Sequence, residues 1–134
     1  RDLCSLWKRS SLLIQGICRE NGIAYFHFLQ PNQYLPGSKT FTAEERKIAY
    51  DPDKCYREGV EKGYPYLIRA GSELLRGGVN FHDLTQLFSE TSGAAYKDDC
   101  CHYNETGCEI FSAAVGRAIA EYYKHLDGKA AGGL

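Results

Sequence analysis

Asp99 and His102 stand three residues apart in the stretch Asp98-Asp99-Cys100-Cys101-His102. A carboxylate at that spacing can accept a hydrogen bond from one imidazole nitrogen, which sets the tautomer and leaves the other nitrogen to take a proton. Histidine titrates near neutral pH, so the pair has the chemistry of an oriented general base. An isolated Asp-x-x-His arises often by chance. This one sits in a longer string, Tyr96-x-x-Asp99-x-x-His102-x-Asn104-x-x-Gly107, that runs straight into an amphipathic helical pattern. The string is far more specific than the pair. Asp98 reads as a solvated loop carboxylate beside it.

Other polar residues fall where a ligand would meet the ends of strands. Gln30 and Asn32 follow one apolar run, and Asp83 follows another. Ligands of open α/β sheets collect beyond the carboxyl ends of the strands, so these three are candidate substrate-binding residues. Each has a plainer reading as well: Gln30 and Asn32 as residues that turn the loop, and Asp83 as the cap of residues 84–88. Cys100, Cys101, His102 and Cys108 could be read as metal ligands, but adjacent cysteines ligate one ion poorly and no Cys-x-x-Cys is present. We expect no metal and no other cofactor. Asn104-Glu105-Thr106 is a formal N-glycosylation sequon, read here as coincidence.

These residues need elements to position them. Leu3, Trp7, Ser10, Ile14 and Ile17 recur at helical spacing, predicting a helix over 3–21 that stops at Asn21-Gly22. Residues 23–29 follow as a nearly all-apolar strand, as for one buried on both faces. A proline-punctuated loop covers 31–41. Thr42 and Glu45 form a capping box that opens a helix near Ala43. Asp51-Pro52 restarts it, Gly63-Tyr64-Pro65 interrupts it, and residues 66–76 complete a third piece ending at Gly77-Gly78. Residues 79–82 make a second strand, followed by a short helical turn over 84–88 and at most a short extended piece over 94–96. A last helix runs from Asn104 or Glu105 to His125, with Phe111, Val115, Ile119 and Tyr122 on one face. The order α-β-α-α-β-α predicts an α/β fold with parallel strands. Two strands alone leave unpaired edges, the first sign that further strands belong to the sheet.

The chain has 134 residues, a one-domain length, with 43% hydrophobic and 25% charged residues and a formal net charge of −1. No basic cluster marks a nucleic-acid partner, and no apolar run could span a bilayer. Methionine is absent and the first residue is Arg1, so a piece of a longer protein is expected. The six cysteines read first as structural thiols, with one or two disulfides as the second reading. The compartment stays open, with a periplasmic or extracellular one favoured over the cytoplasm.

The string from Tyr96 to Gly107 resembles the final motif block of SGNH (GDSL-like) hydrolases, whose acid and base come from an Asp-x-x-His before the last helix. By that resemblance Asp99 is the orienting acid and His102 the base, while Asn104 and Gly107 match residues that open the helix. The run from His27 to Tyr34 is similar to the late strand and loop of one bacterial SGNH-like subgroup, and Leu84 and Thr85 after Asp83 fit it too. The resemblance covers nearly the whole chain. It implies a three-layer α/β/α, flavodoxin-like fold of which residues 1–127 are the C-terminal portion, with 128–134 a flexible tail. It implies ester hydrolysis by a Ser-His-Asp triad, with an acylated carbohydrate as one candidate substrate.

The resemblance also exposes a gap. The family's Gly-Asp-Ser-like nucleophile motif and its oxyanion-hole Gly and Asn lie before the region matched and are absent. None of Ser5, Ser10, Ser11, Ser38, Ser72, Ser89, Ser92 and Ser112 follows a strand in such a turn. Without nucleophile and oxyanion donors most rate enhancement is lost, so the chain alone is expected to be inactive. Its expected partner is the missing N-terminal half of the same domain or a second copy. The alternative is a non-catalytic carbohydrate- or protein-binding module derived from the hydrolase fold.

Overall fold

The structure is a computed structural model that describes residues 2–131, with side chains described through residue 127. In chain order it holds α1 (Asp2–Glu20), β1 (Phe26–Leu29), α2 (Ala43–Ala49), α3 (Arg57–Arg76), β2 (Asn80–Asp83) and α4 (Glu105–Ala131). The two strands pair in parallel, with Phe26 opposite Asn80 and Leu29 opposite Asp83. The α/β class follows directly from this helix–strand alternation and parallel pairing.

Alternation along the strands sends their side chains to opposite faces. His27, Leu29 and Phe81 face α1 and α3, where Leu29, Leu74, Val79 and Phe81 form a buried cluster flanked by Trp7 and Ile68. Each large apolar side chain buried there contributes about 1.5–3 kcal/mol. Gly71 allows α3 its close approach, since a Cβ at that position would lie 2.1 Å from Phe81 Cζ. Phe26, Phe28 and His82 occupy the other face, and Tyr122 of α4 meets Phe26 there edge-on at 5.1 Å.

Several elements differ from the sequence expectation. β1 is shorter than 23–29, because β2 offers only four residues to pair and Asn80 Nδ2 instead takes the Tyr25 carbonyl. α3 runs unbroken through Gly63 and Pro65. An internal proline costs about 3 kcal/mol, and burial of the apolar side of α3 outweighs it: Tyr64 and Ile68 pack against two separate core clusters. Residues 51–56 form turns rather than helix, and residues 84–88 are turns as well. α4 passes His125 and reaches Ala131, so residues 128–131 of the expected tail are helical and its last three lie outside the described residues.

The helix α1 forms over nearly the expected span, but its buried side is not the expected stripe. Trp7 and Ser11 turn inward, with Cys4 and Cys18 half-buried. Leu3, Leu6, Leu13 and Ile17 lie on the surface, at 81%, 60%, 68% and 65% exposure. Helix α1 is thus apolar on two sides, and only one is covered. Each strand likewise has one edge without a partner strand among the described residues.

Candidate functional site

The site turn lies between residues 95 and 104 and closes on itself. Tyr96 bridges Tyr103 in antiparallel fashion, Lys97 N donates to His102 O at 3.0 Å, and Asn104 N donates to Ala95 O at 2.9 Å. Tyr96 is fully buried and packs against Phe88 and Tyr103. Asn104 opens α4: its Oδ1 accepts the N–H of Gly107, and its Nδ2 donates to Ala94 O. Both ends of that amide are engaged. Gly107 has a steric reason as well. A Cβ there would stand 2.2 Å from the Ala95 carbonyl oxygen, the same oxygen that receives Asn104 N. The string from Tyr96 to Gly107 is therefore a single closed turn with its helix cap.

Inside the turn the carboxylates divide differently from the expectation. His102 Nδ1 lies 2.8 Å from Asp98 Oδ2, and Asp98 Oδ1 accepts the N–H of Cys100 at 2.9 Å. Asp99 Oδ2 instead lies 2.8 Å from Lys54 Nζ. The expected Asp99–His102 contact is thus replaced by Asp98–His102. The cause is the backbone. The Asp99 carbonyl accepts hydroxyl hydrogen bonds from Tyr34 and Tyr56, and the Asp98 carbonyl accepts Gln33 Nε2. Those contacts hold the peptide so that Asp98 turns toward the imidazole and Asp99 toward Lys54.

Electrostatics follow the same division. Burial pushes the Asp98 carboxyl up, but the His102 ring and the N–H groups of Cys100 and His102 outweigh it, leaving it below the ordinary carboxylate range. The hydrogen bond to Asp99 holds the Lys54 ammonium above its usual value. An ionised carboxylate only accepts, so Asp98 places the proton on His102 Nδ1 and leaves Nε2 as an acceptor. The His102 side chain is 60% exposed, which gives that nitrogen a path to a partner.

The loop after β1 supports the turn from below. Tyr103 OH donates to Pro31 O at 3.0 Å, and Gln33 Nε2 reaches both Ala49 O and Asp98 O. Gln30 is exposed at the end of β1. Asn32 is buried, with its Oδ1 accepting Tyr34 N, so it shapes the loop. Asp83 Oδ1 accepts Thr85 N and caps the turn after β2. Gln30, Asn32, Asp83 and the His102 turn thus lie at the carboxyl ends of the strands, with Gln30 and Asp83 exposed there. Sequence reasoning gave no role to Lys54 and Tyr56, which carry no motif of their own, and placed Gln33 and Tyr34 only in the run from His27 to Tyr34. It also assigned Asp98 no role, although its spacing of four residues from His102 was legible.

Two serines acquire definite places. Ser38 is buried and donates to Asn32 O at 2.7 Å. Ser11 Oγ lies 2.8 Å from His27 Nδ1 and 3.2 Å from Tyr25 OH. That pair is enclosed by Trp7 and Phe81. Neither serine has the open, strand-following position of a nucleophile. Among the described residues no three His, Cys, Asp or Glu side chains group to hold a metal ion, and no helix is long and apolar enough to cross a membrane.

Comparison of the chain with protein-family models, curated proteins and solved structures returns no match.

Proposed function

We propose that this chain supplies the acid–base side of a serine-ester hydrolase site of SGNH type, within a flavodoxin-like α/β/α fold. The observation that carries the reading is His102, with Nδ1 held by a carboxylate at 2.8 Å and an exposed side chain. In that role His102 Nε2 takes the proton from a serine hydroxyl as it attacks an ester carbonyl, then returns it to the leaving alcohol. The carboxylate orients the ring and stabilises the imidazolium. Asp98 fills that place in this geometry, while Asp99, the acid the resemblance implies, pairs with Lys54.

The serine and the oxyanion donors come from residues outside this stretch. Supporting that part of the proposal are the single-sided pairing of both strands and the uncovered apolar side of α1. The remaining strands of the fold would cover both. Gln30, at the end of β1, would meet the acyl or alcohol portion of the substrate, with an acylated carbohydrate as the substrate class proposed.

Hydrolysis of a small aryl acetate tests the reading. The chain as it stands is expected to show none. A longer chain that carries a Gly-Asp-Ser-like segment ahead of Arg1 is expected to hydrolyse it and to lose on the order of 10³-fold or more in kcat on His102→Ala. Activity indifferent to His102→Ala overturns the proposal.

A further inference from the structure

We propose that Cys100 and Cys101 form a reversible dithiol–disulfide couple, a redox-modification site that switches the turn holding His102 against Asp98. All six thiols are free, and these are the only two adjacent in sequence. They sit midway between Asp98 and His102. Cys100 is exposed and Cys101 half-buried, so an attacking small molecule meets Cys100 first.

Cys100 has a cation and a phenol as neighbours. Lys54 and Tyr56 both border it: its charge bears on the Lys54 ammonium, and, after burial, its contact is the next largest influence on the Tyr56 hydroxyl. Lys54 is itself paired with Asp99, so it is the exposure of Cys100 that opens it to attack. Cys101 holds φ at +61°, in the left-handed region that residues bearing a Cβ seldom adopt. The bonds closing the turn on either side keep it there.

The reaction needs a low-molecular-weight disulfide as oxidant. The Cys100 thiolate attacks one sulfur of that disulfide and expels one small thiolate, leaving a mixed disulfide on Cys100. The Cys101 thiol then loses its proton, attacks the Cys100 sulfur and expels the second small thiolate. Two protein thiols are oxidised by two electrons and one small disulfide is reduced. Adjacent Cα atoms are about 3.8 Å apart, closer than the roughly 4.4 Å minimum usual for a disulfide. The ring is therefore strained and easily reduced, as befits a switch more than a staple. Closing it must re-set the backbone between Asp98 and His102, including the Cys100 N–H that Asp98 accepts.

The experiment uses the whole chain, treated with oxidised glutathione, alkylated and digested after lysine and arginine. The peptide from Asp98 to Arg117 holds Cys100, Cys101 and Cys108. The expected product has lost two hydrogens, still forms in Cys108→Ser, reverts with dithiothreitol, and is absent in both Cys100→Ser and Cys101→Ser. Phenylarsine oxide, which bridges two thiols, is expected to label the same peptide in Cys108→Ser and to fail in Cys101→Ser. Carbon-13 NMR of Asp98 is expected to show its titration moving up toward the ordinary carboxylate range on oxidation. A glutathione adduct that stops on Cys100, a link that requires Cys108, or an Asp98 titration unmoved by ring closure overturns the proposal.

Discussion

His102 Nδ1 and Asp98 Oδ2 face each other at 2.8 Å across a five-residue turn, while the neighbouring Asp99 is turned away to Lys54. Asp98→Asn is therefore expected to release the imidazole, and Asp99→Asn to leave it in place. Nitrogen-15 NMR of the His102 ring reads this directly. The wild type and Asp99→Asn should hold the proton on Nδ1, and Asp98→Asn should populate both tautomers. The same outcome in both variants would sink the assignment.

The pair also has a pH signature. The Asp98 carboxyl titrates lower in the folded chain than in the unfolded one. Its contribution to stability is thus present above the unfolded value, about 3.9, and is lost as pH falls through the depressed folded value. His102→Ala should raise the Asp98 titration seen by carbon-13 NMR and flatten the acid limb of the unfolding curve between those two values.

Glu45 ties the first half of the chain to the site turn. Thr42 Oγ1 accepts Glu45 N as expected for a helix cap. The Glu45 side chain does not return to Thr42; its Oε1 accepts the N–H groups of Ala95 and Tyr96 at 2.7 and 3.0 Å. Lys39 Nζ lies 3.4 Å from its Oε2, a charge contact, and donates to the Thr40 and Thr91 carbonyls. Both side chains have 0% exposure. Glu45→Ala leaves a buried cation without its counter-charge and two buried N–H groups without their acceptor, at a cost of about 3–5 kcal/mol. Thr42→Ala removes only a cap and costs about 1 kcal/mol. Urea denaturation should rank them in that order, and equal losses would refute the tie.

Gly107→Ala drives a methyl into the Ala95 carbonyl at the mouth of α4. Neither atom belongs to a flexible side chain, so the helix or the turn must move. Overpacking of this kind costs about 3 kcal/mol. The expected result is a lowered denaturation midpoint together with faster hydrogen exchange at Asn104 N. Gly116→Ala, with open space around its Cβ position, is the control and should be neutral or slightly stabilising.

His27 lies between Trp7 and Phe81 and bonds to Ser11, with Tyr25 as its only titratable neighbour in these contacts. Burial lowers its pKa below the ordinary 6.5. The unfolded chain therefore binds the proton first, and stability falls as pH drops from about 6.5 to the lower folded value. Thermal unfolding between pH 7 and pH 5 should show this slope, and His27→Gln should remove it. A slope unchanged in the variant would place its source elsewhere.

Local chemistry made much of this molecule legible. The periodic apolar residues of α1 and α4, the Thr42 cap, and the Asn104–Gly107 helix opening depend on residues within one or two turns of each other, so spacing alone reveals them. The parallel relation of β1 and β2 was legible because helix-forming sequence separates them. That a carboxylate would meet His102 was also legible, since the turn from 96 to 104 closes on its own residues.

Tertiary contacts decided the remainder. The choice between Asp98 and Asp99 depends on peptide orientations set by Tyr56 and Gln33, 43 and 65 residues away in the chain. Glu45 leaves its local cap for Ala95, 50 residues on. Helix α3 survives Pro65 because two core clusters share its apolar side, and the buried side of α1 is chosen by Trp7 and Ser11 meeting His27. Sequence by itself determined α1, α4, the parallel strand pair and the presence of an Asp-His turn, because those rest on neighbours along the chain. Only the tertiary structure decided which carboxylate holds the imidazole, because the atoms that orient the turn come from elsewhere in the fold.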